Sequence, residues 1–194
     1  MDIMQIITLA LLGVYYIAYF IKALALKRRG ITVNLLGKGS KPQKALMIEG
    51  FLRLATLGGA VIQFGSVFFP DIIWMVPSVY PVRIVGLILL FLGNIIFIVA
   101  MLTMRNNWRA GFDSNQNTSL VTHGIYRYSR NPAFVGFDLL YIGCAAAFPN
   151  IINIVAAMAC IILFHVQILG EEKYCAEAFG QEYTEYRSKV RRYL

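Results

Sequence analysis

From Val82 to Met104 the chain runs almost without a polar residue. A run of about 20 apolar residues is what a helix needs to cross the hydrocarbon core of a bilayer. Two more such runs precede it. Ile3 to Leu26 is interrupted by Lys22, whose charge can snorkel to the interface, and Ala45 to Phe69 carries Glu49 and Arg53 near one end. Two shorter runs follow, Phe134 to Phe148 and Ile151 to Leu169, joined by the tight-turn signal Pro149-Asn150 and read as a helical hairpin. The expected fold is therefore all-α: a polytopic transmembrane helical bundle of about five spans, one membrane domain over 1–194. Residues 1–104 hold three N-terminal spans, and 105–194 hold the hairpin and the polar stretches around it. The first run is too long, and lacks the small-residue cleavage site, for a signal peptide. Spans on this scale leave no room for a separate soluble catalytic domain, so any site must be built from helix ends and short loops.

Composition agrees. Hydrophobic residues make up 58% and charged residues 14%, against roughly 45–50% and about 25% in a soluble domain. The net charge of +8 is concentrated in three groups between the apolar runs: Lys27 to Lys44, Arg105 to Arg130, and Lys173 to Arg192. This is the pattern of the positive-inside rule. It places the N-terminus outside and the C-terminus in the cytoplasm. The outer side is left with little besides Asp2, Asp71 and Arg83, and with Trp74 and Tyr80 at the interface. A nucleic-acid surface would need a continuous basic stripe with stacking aromatics, which the sequence does not offer. The expected location is a membrane, endoplasmic reticulum in a eukaryote or cell membrane in a prokaryote, with the site facing the cytoplasm. Cys144, Cys160 and Cys175 are odd in number, and no C-x-x-C occurs. Neither a disulfide set nor a metal site is expected.

Two polar stretches flank the hairpin, Thr118 to Gly136 and Gln167 to Val190. A tight hairpin brings its two ends to one membrane face, so His123, Tyr126, Arg127 and Arg130 should approach Gln167, Glu171 and Glu172. Gly124, Pro132 and Gly136 permit close approach of backbone to a ligand. Carboxylates, guanidinium groups and aromatic rings together suit a ligand that is both zwitterionic and aromatic. Each residue also has a plainer reading. Glu49 and Arg53, four apart, form a local pair. Arg127 and Arg130 contact lipid headgroups. His123 satisfies a loop carbonyl, and His165 makes a polar contact between helices. Tyr183 and Tyr186 pack on the membrane surface.

The run Leu120-Val-Thr-His-Gly-Ile-Tyr126, followed by Arg130-Asn-Pro-Ala-Phe-Val-Gly136, is similar to an LVTxGxY…RHPxYxG signature. Glu171-Glu172…Phe179-Gly180…Tyr183…Tyr186…Val190 resembles EE…FGxxYxxY…V. Two linked motifs in this order resemble the isoprenylcysteine carboxyl methyltransferase family and, more loosely, the small membrane methyltransferases of phospholipids. The likeness covers about the last 80 residues.

The resemblance implies methyl transfer from S-adenosylmethionine to the carboxylate of an isoprenylated cysteine or a similar lipid-like acceptor taken from the bilayer. It assigns cofactor contacts to Thr118, Ser119, Leu120, Val121, His123, Tyr126, Asn131, Pro132, Ala133, Phe134 and Glu171, a catalytic role to Arg130, and an acceptor contact to Gln167. The chain departs from the pattern where Asn131 stands for His, Ala133-Phe134 for Ser-Tyr and Gln167 for Arg, and where no proline follows Val190. Asn can donate a hydrogen bond as His does but cannot titrate, which bears on acid–base chemistry at 131. Three other readings stay open: a phospholipid or amine N-methyltransferase, a nicotinamide-dependent reductase, and a non-enzymatic membrane bundle.

Overall fold

The computed structural model describes residues 1–39, 41–70, 76–111 and 118–194. Asp71 and Trp74, assigned above to the outer side, lie outside them. Five helices account for the apolar runs: α1 (Ile3–Lys27), α2 (Gln43–Phe68), α3 (Tyr80–Met104), α4 (Pro132–Ala147) and α5 (Ile151–Lys189). α1, α2, α3 and α5 are long and apolar enough to cross a bilayer. α4 has 16 residues, or about 24 Å at ~1.5 Å per residue, short of a core of about 30 Å.

Local chemistry sets the ends. Asp2 accepts from the backbone N–H of Gln5 at 2.7 Å while the Gln5 side chain accepts from that of Asp2, closing a capping box on α1. Pro81 and Pro132 sit in the first turns of α3 and α4, where a missing N–H costs nothing. The side chain of Asn150 caps α5 at the backbone N–H of Asn153, 2.8 Å, and so makes the hairpin turn. The fifth run does not stop at Leu169. α5 continues through Gly170 into the charged tail and turns sharply only at Gly180, whose φ of 51° lies in the left-handed region.

α3 and α4 cross at very short range because glycines recur every seven residues on both. A Cβ built on Gly143 would lie 2.6 Å from the Leu90 nitrogen, and one on Gly93 2.8 Å from the Gly136 carbonyl oxygen. Gly86 faces the backbone of Gly143 and Ala147 just as closely. Small residues let membrane helices approach until their backbones touch, which is a main source of attraction where lipid offers no hydrophobic drive. Next to this crossing Phe97 is buried against Tyr15, Trp108 and Phe137. Outward, α1 and α2 expose Ile17, Phe20, Ile21, Phe51, Leu54 and Val61, a surface suited to acyl chains. The chain is an integral membrane protein by this architecture.

Two local expectations are corrected. Glu49 does not pair with Arg53, which is exposed; it meets Lys41, from the loop before α2, at 2.6 Å with both side chains buried. The spacing of four describes one helix surface, but a loop lysine reached the carboxylate from outside it. His165 does not bridge two helices either. Its Nδ1 lies 2.6 Å from the hydroxyl of Tyr193, in the C-terminal segment folded back over α5.

The three basic groups share one end of the bundle. There the α1–α2 connection touches the one after α3: the Leu35 N–H donates to the Ala110 carbonyl at 2.9 Å, and Arg29 donates to Asn106 at 2.9 Å.

Candidate active site

At that end lies a cavity of about 150 Å³. Its walls come from Asn107, Arg109 and Gly111 after α3, residues 118–121, Tyr126 in the short turn Gly124–Arg127, Arg130 and Asn131, and α5 from Glu171 to Tyr186. Both polar stretches singled out in the sequence thus line one space, and the loop after α1 adds Leu35.

Of the residues named beforehand, Thr118, Ser119, Leu120, Val121, Tyr126, Arg130, Asn131 and Glu171 border the cavity. Glu172 and Phe179 border it as well, whereas His123, Arg127, Pro132, Ala133, Phe134 and Gln167 stand outside its lining. His123 is exposed and precedes the short turn. Pro132 and Ala133 are buried in the first turn of α4, and Phe134 packs on Phe137 and Phe164 in the bundle. Gln167 is buried behind Glu171. Arg127 is exposed. Tyr183 and Tyr186, whose plainer reading is packing on the membrane surface, both reach the cavity wall, and Tyr186 donates its hydroxyl to the Tyr126 carbonyl at 2.7 Å.

The charge centre is Glu172. Its Oε1 accepts from Arg130 Nη2 at 2.8 Å and from Asn131 Nδ2 at 3.2 Å, and its Oε2 accepts from Arg192 Nη2 at 2.9 Å. Burial pushes this carboxyl up, but the hydrogen bonds from Arg192 and Arg130 outweigh it and hold the group below the ordinary glutamate range. Arg130 also donates through Nη1 to the carbonyls of Arg187 and Val190, and its backbone N–H to that of Arg191 at 2.9 Å. Its donors are thus committed to a clamp that fastens the C-terminal strap across the start of α4. Arg192, one of many tail charges in the sequence, completes the clamp. Nothing in its spacing marked it.

Glu171 differs from its neighbour in every respect. Among the described residues it forms no ion pair, although Lys41 acts on it electrostatically. Its Oε1 accepts from Gln167 Nε2 at 3.0 Å, and burial pushes its carboxyl up to about 7. A carboxylate that ionises near neutrality and borders a cavity with Tyr126, Tyr183, Tyr186 and Phe179 is a functional candidate on physical grounds. Cys175, on the same wall, is pushed up to about 12 by burial and remains a thiol. Among the described residues no group of His, Cys, Asp or Glu is placed to hold a metal ion.

The two motifs line one cavity, assembled from helix ends of a membrane bundle. The phospholipid methyltransferase family matches residues 82–182, just over half the chain. Protein-S-isoprenylcysteine O-methyltransferase A of Arabidopsis thaliana is 32% identical over 108 residues, covering 54% of this chain and 55% of that protein. The Schizosaccharomyces pombe protein-S-isoprenylcysteine O-methyltransferase is 31% identical over 152 residues, covering 74% and 63%. The solved structure of a eukaryotic intramembrane Ras methyltransferase, isoprenylcysteine carboxyl methyltransferase, superposes with a TM-score of 0.57 at 25% identity, over 77% of this chain and 56% of that one. The chain belongs to the phospholipid methyltransferase family, and these relatives are the isoprenylcysteine methyltransferases that its two motifs resemble. It spans a little over half the length of the first curated relatives it matches.

Proposed function

We propose that the cavity binds S-adenosylmethionine and that the protein transfers its methyl group to the carboxylate of an isoprenylated cysteine or a similar lipid-like acid. The observation that carries this is the pairing, in one cavity, of an aromatic wall with the Glu171 carboxylate, which is in no ion pair among the described residues. That donor is a zwitterion with an adenine ring and a sulfonium, and it supplies an electrophilic methyl when bound. Glu171 suits its ammonium, and the rings of Tyr126, Tyr183 and Tyr186 suit the base and the positive sulfur. Asn107 and Ser119, hydrogen-bonded to each other at 3.0 Å, suit its hydroxyls. Arg130 acts here by holding Glu172 and the strap, which keeps the aromatic wall in place. By the positive-inside rule the cavity faces the cytoplasm.

A carboxylate acceptor is ionised at neutral pH and needs no general base. The protein's work is then orientation, which can be worth about 7–11 kcal/mol in favourable cases. An amine acceptor must lose a proton. One observation favours that second reading: Glu171, near 7, is poised as a base, so a phospholipid amine is the alternative acceptor.

Calorimetric titration of the detergent-purified protein with S-adenosylmethionine tests the cavity. Saturable binding is expected, weakened at least about tenfold by Glu171→Gln, the loss of one charge-assisted hydrogen bond. No saturable heat at millimolar donor would sink the methyltransferase reading.

A further inference from the structure

The N-terminal half of the chain carries neither motif, yet it reaches the cavity through a buried polar line. Lys41 Nζ donates to Glu49 Oε2 at 2.6 Å and to the Leu35 carbonyl at 3.0 Å. The N–H of Gly37 donates to the same Glu49 oxygen at 2.9 Å. The other oxygen, Oε1, accepts from Gln167 Nε2 at 3.3 Å, and that nitrogen donates onward to Glu171 Oε1 at 3.0 Å. The side chains of Lys41 and Glu49 are 0% and 1% exposed. Two carboxylates flanking one amide leave only its NH₂ face as a suitable partner, since an amide oxygen would meet acceptors on both sides. Gly111 closes the cluster: a Cβ there would sit 3.0 Å from Glu49 Oε1, and its φ of +83° further restricts the position to glycine.

We infer that Lys41, Glu49 and Gln167 are positioning residues for Glu171, setting the orientation and ionisation of the carboxylate that receives the donor's ammonium group. This rests on the function proposed above. Lys41 neutralises one of the two carboxylates, so ionisation of Glu171 leaves the cluster with a single negative charge facing the cavity, the complement of a cation. Gln167 stands where the family pattern has arginine. Here its amide spans Glu49 and Glu171.

Among the described residues, Lys41, Glu49, Tyr126 and Cys175 interact electrostatically with Glu171, and Arg109, Arg130 and Glu172 line the same cavity. Burial raises Tyr126 and Cys175 well above neutrality, while it brings Glu171 to about 7. Hydrogen bonding from Gln167 favours its ionised form, Glu49 opposes it and Lys41 supports it.

pH-difference infrared spectroscopy of the protein without donor follows the protonated Glu171 carbonyl band, assigned by its loss in Glu171→Gln. The expected midpoint is about 7. Gln167→Met removes a charge-assisted donor and is expected to move the midpoint upward by about one pH unit. Gln167→Arg and Glu49→Gln are expected to move it downward. The upward shift takes Glu171 from about half ionised to about a tenth at pH 7, so donor affinity there should fall about fivefold. Opposite displacements from two substitutions at one position are not what general loosening of the fold would give. An unmoved midpoint in all three variants overturns the inference, as does displacement of Gln167→Met and Gln167→Arg in the same direction. Absence of donor binding in the wild type is a separate result: it removes the proposed function and the ammonium role, while the midpoints still decide whether Gln167 controls Glu171.

Discussion

Arg130→Ala is expected to destabilise the protein by about 3–5 kcal/mol, the range for breaking a buried ion pair from one side, and to reduce methyl transfer at least about a hundredfold, since misplacement of about 1 Å can cost that much. The side chains of Arg130 and Glu172 are 8% and 7% exposed. Removal of the guanidinium leaves Glu172 with Arg192 and Asn131 only, and takes the side-chain donor from the Arg187 and Val190 carbonyls together. The strap over the start of α4 then loosens, and with it the wall that Tyr183 and Tyr186 form. Thermal unfolding in detergent and labelled-methyl turnover measure the two effects. Arg127→Ala is the control: that residue is exposed, and both quantities should stay near wild type. Glu172→Gln alone should lose most of what Arg130→Ala loses, and the double variant should lose little more, because both substitutions break one interaction.

Gly143→Ala should be nearly as damaging, although it adds one methyl group. The new carbon would meet backbone atoms of Leu90 and Gly86 at 2.6–2.7 Å, and backbone cannot turn aside as a side chain can. The helices must separate. Overpacking of this kind costs about 1–3 kcal/mol and at times more. The effect extends to the site because α3 ends at Met104 and α4 begins beside Asn131, both on the cavity wall. A fall in thermal stability together with weaker donor binding is expected, whereas Gly13→Ala, with nothing within 4 Å of its new carbon, should change neither. Equal stability of the two variants would show that the close crossing of α3 and α4 is not what holds the bundle.

The helices were legible because lipid imposes one rule on every residue of a span: the apolar runs end within two residues of α1 to α4. The end of α5 was not. Gly170 suggested a boundary, but a single glycine costs a helix only about 1 kcal/mol, and the polar run beyond it stays helical. The site was legible in outline because each wall is carried by a contiguous motif at a helix end. Its wiring was not. Glu49 has two plausible cations in sequence, Arg53 one helical turn away and Lys41 in a loop, and tertiary packing chose the loop. Adjacent Glu171 and Glu172 look equivalent in a sequence, yet they point to opposite tasks, one bound by two arginines and the other by the amide of Gln167. The glycines of α3 and α4 mark their crossing only once the two helices are known to be neighbours.

The most direct test supplies methyl-labelled S-adenosylmethionine and a farnesylated cysteine thiol acid to the purified protein, then treats the lipid extract with alkali. Label released as methanol is expected, since a methyl ester is hydrolysed by base. Label transferred to lipid but stable to alkali would contradict carboxylate methylation and assign the cavity to an amine acceptor.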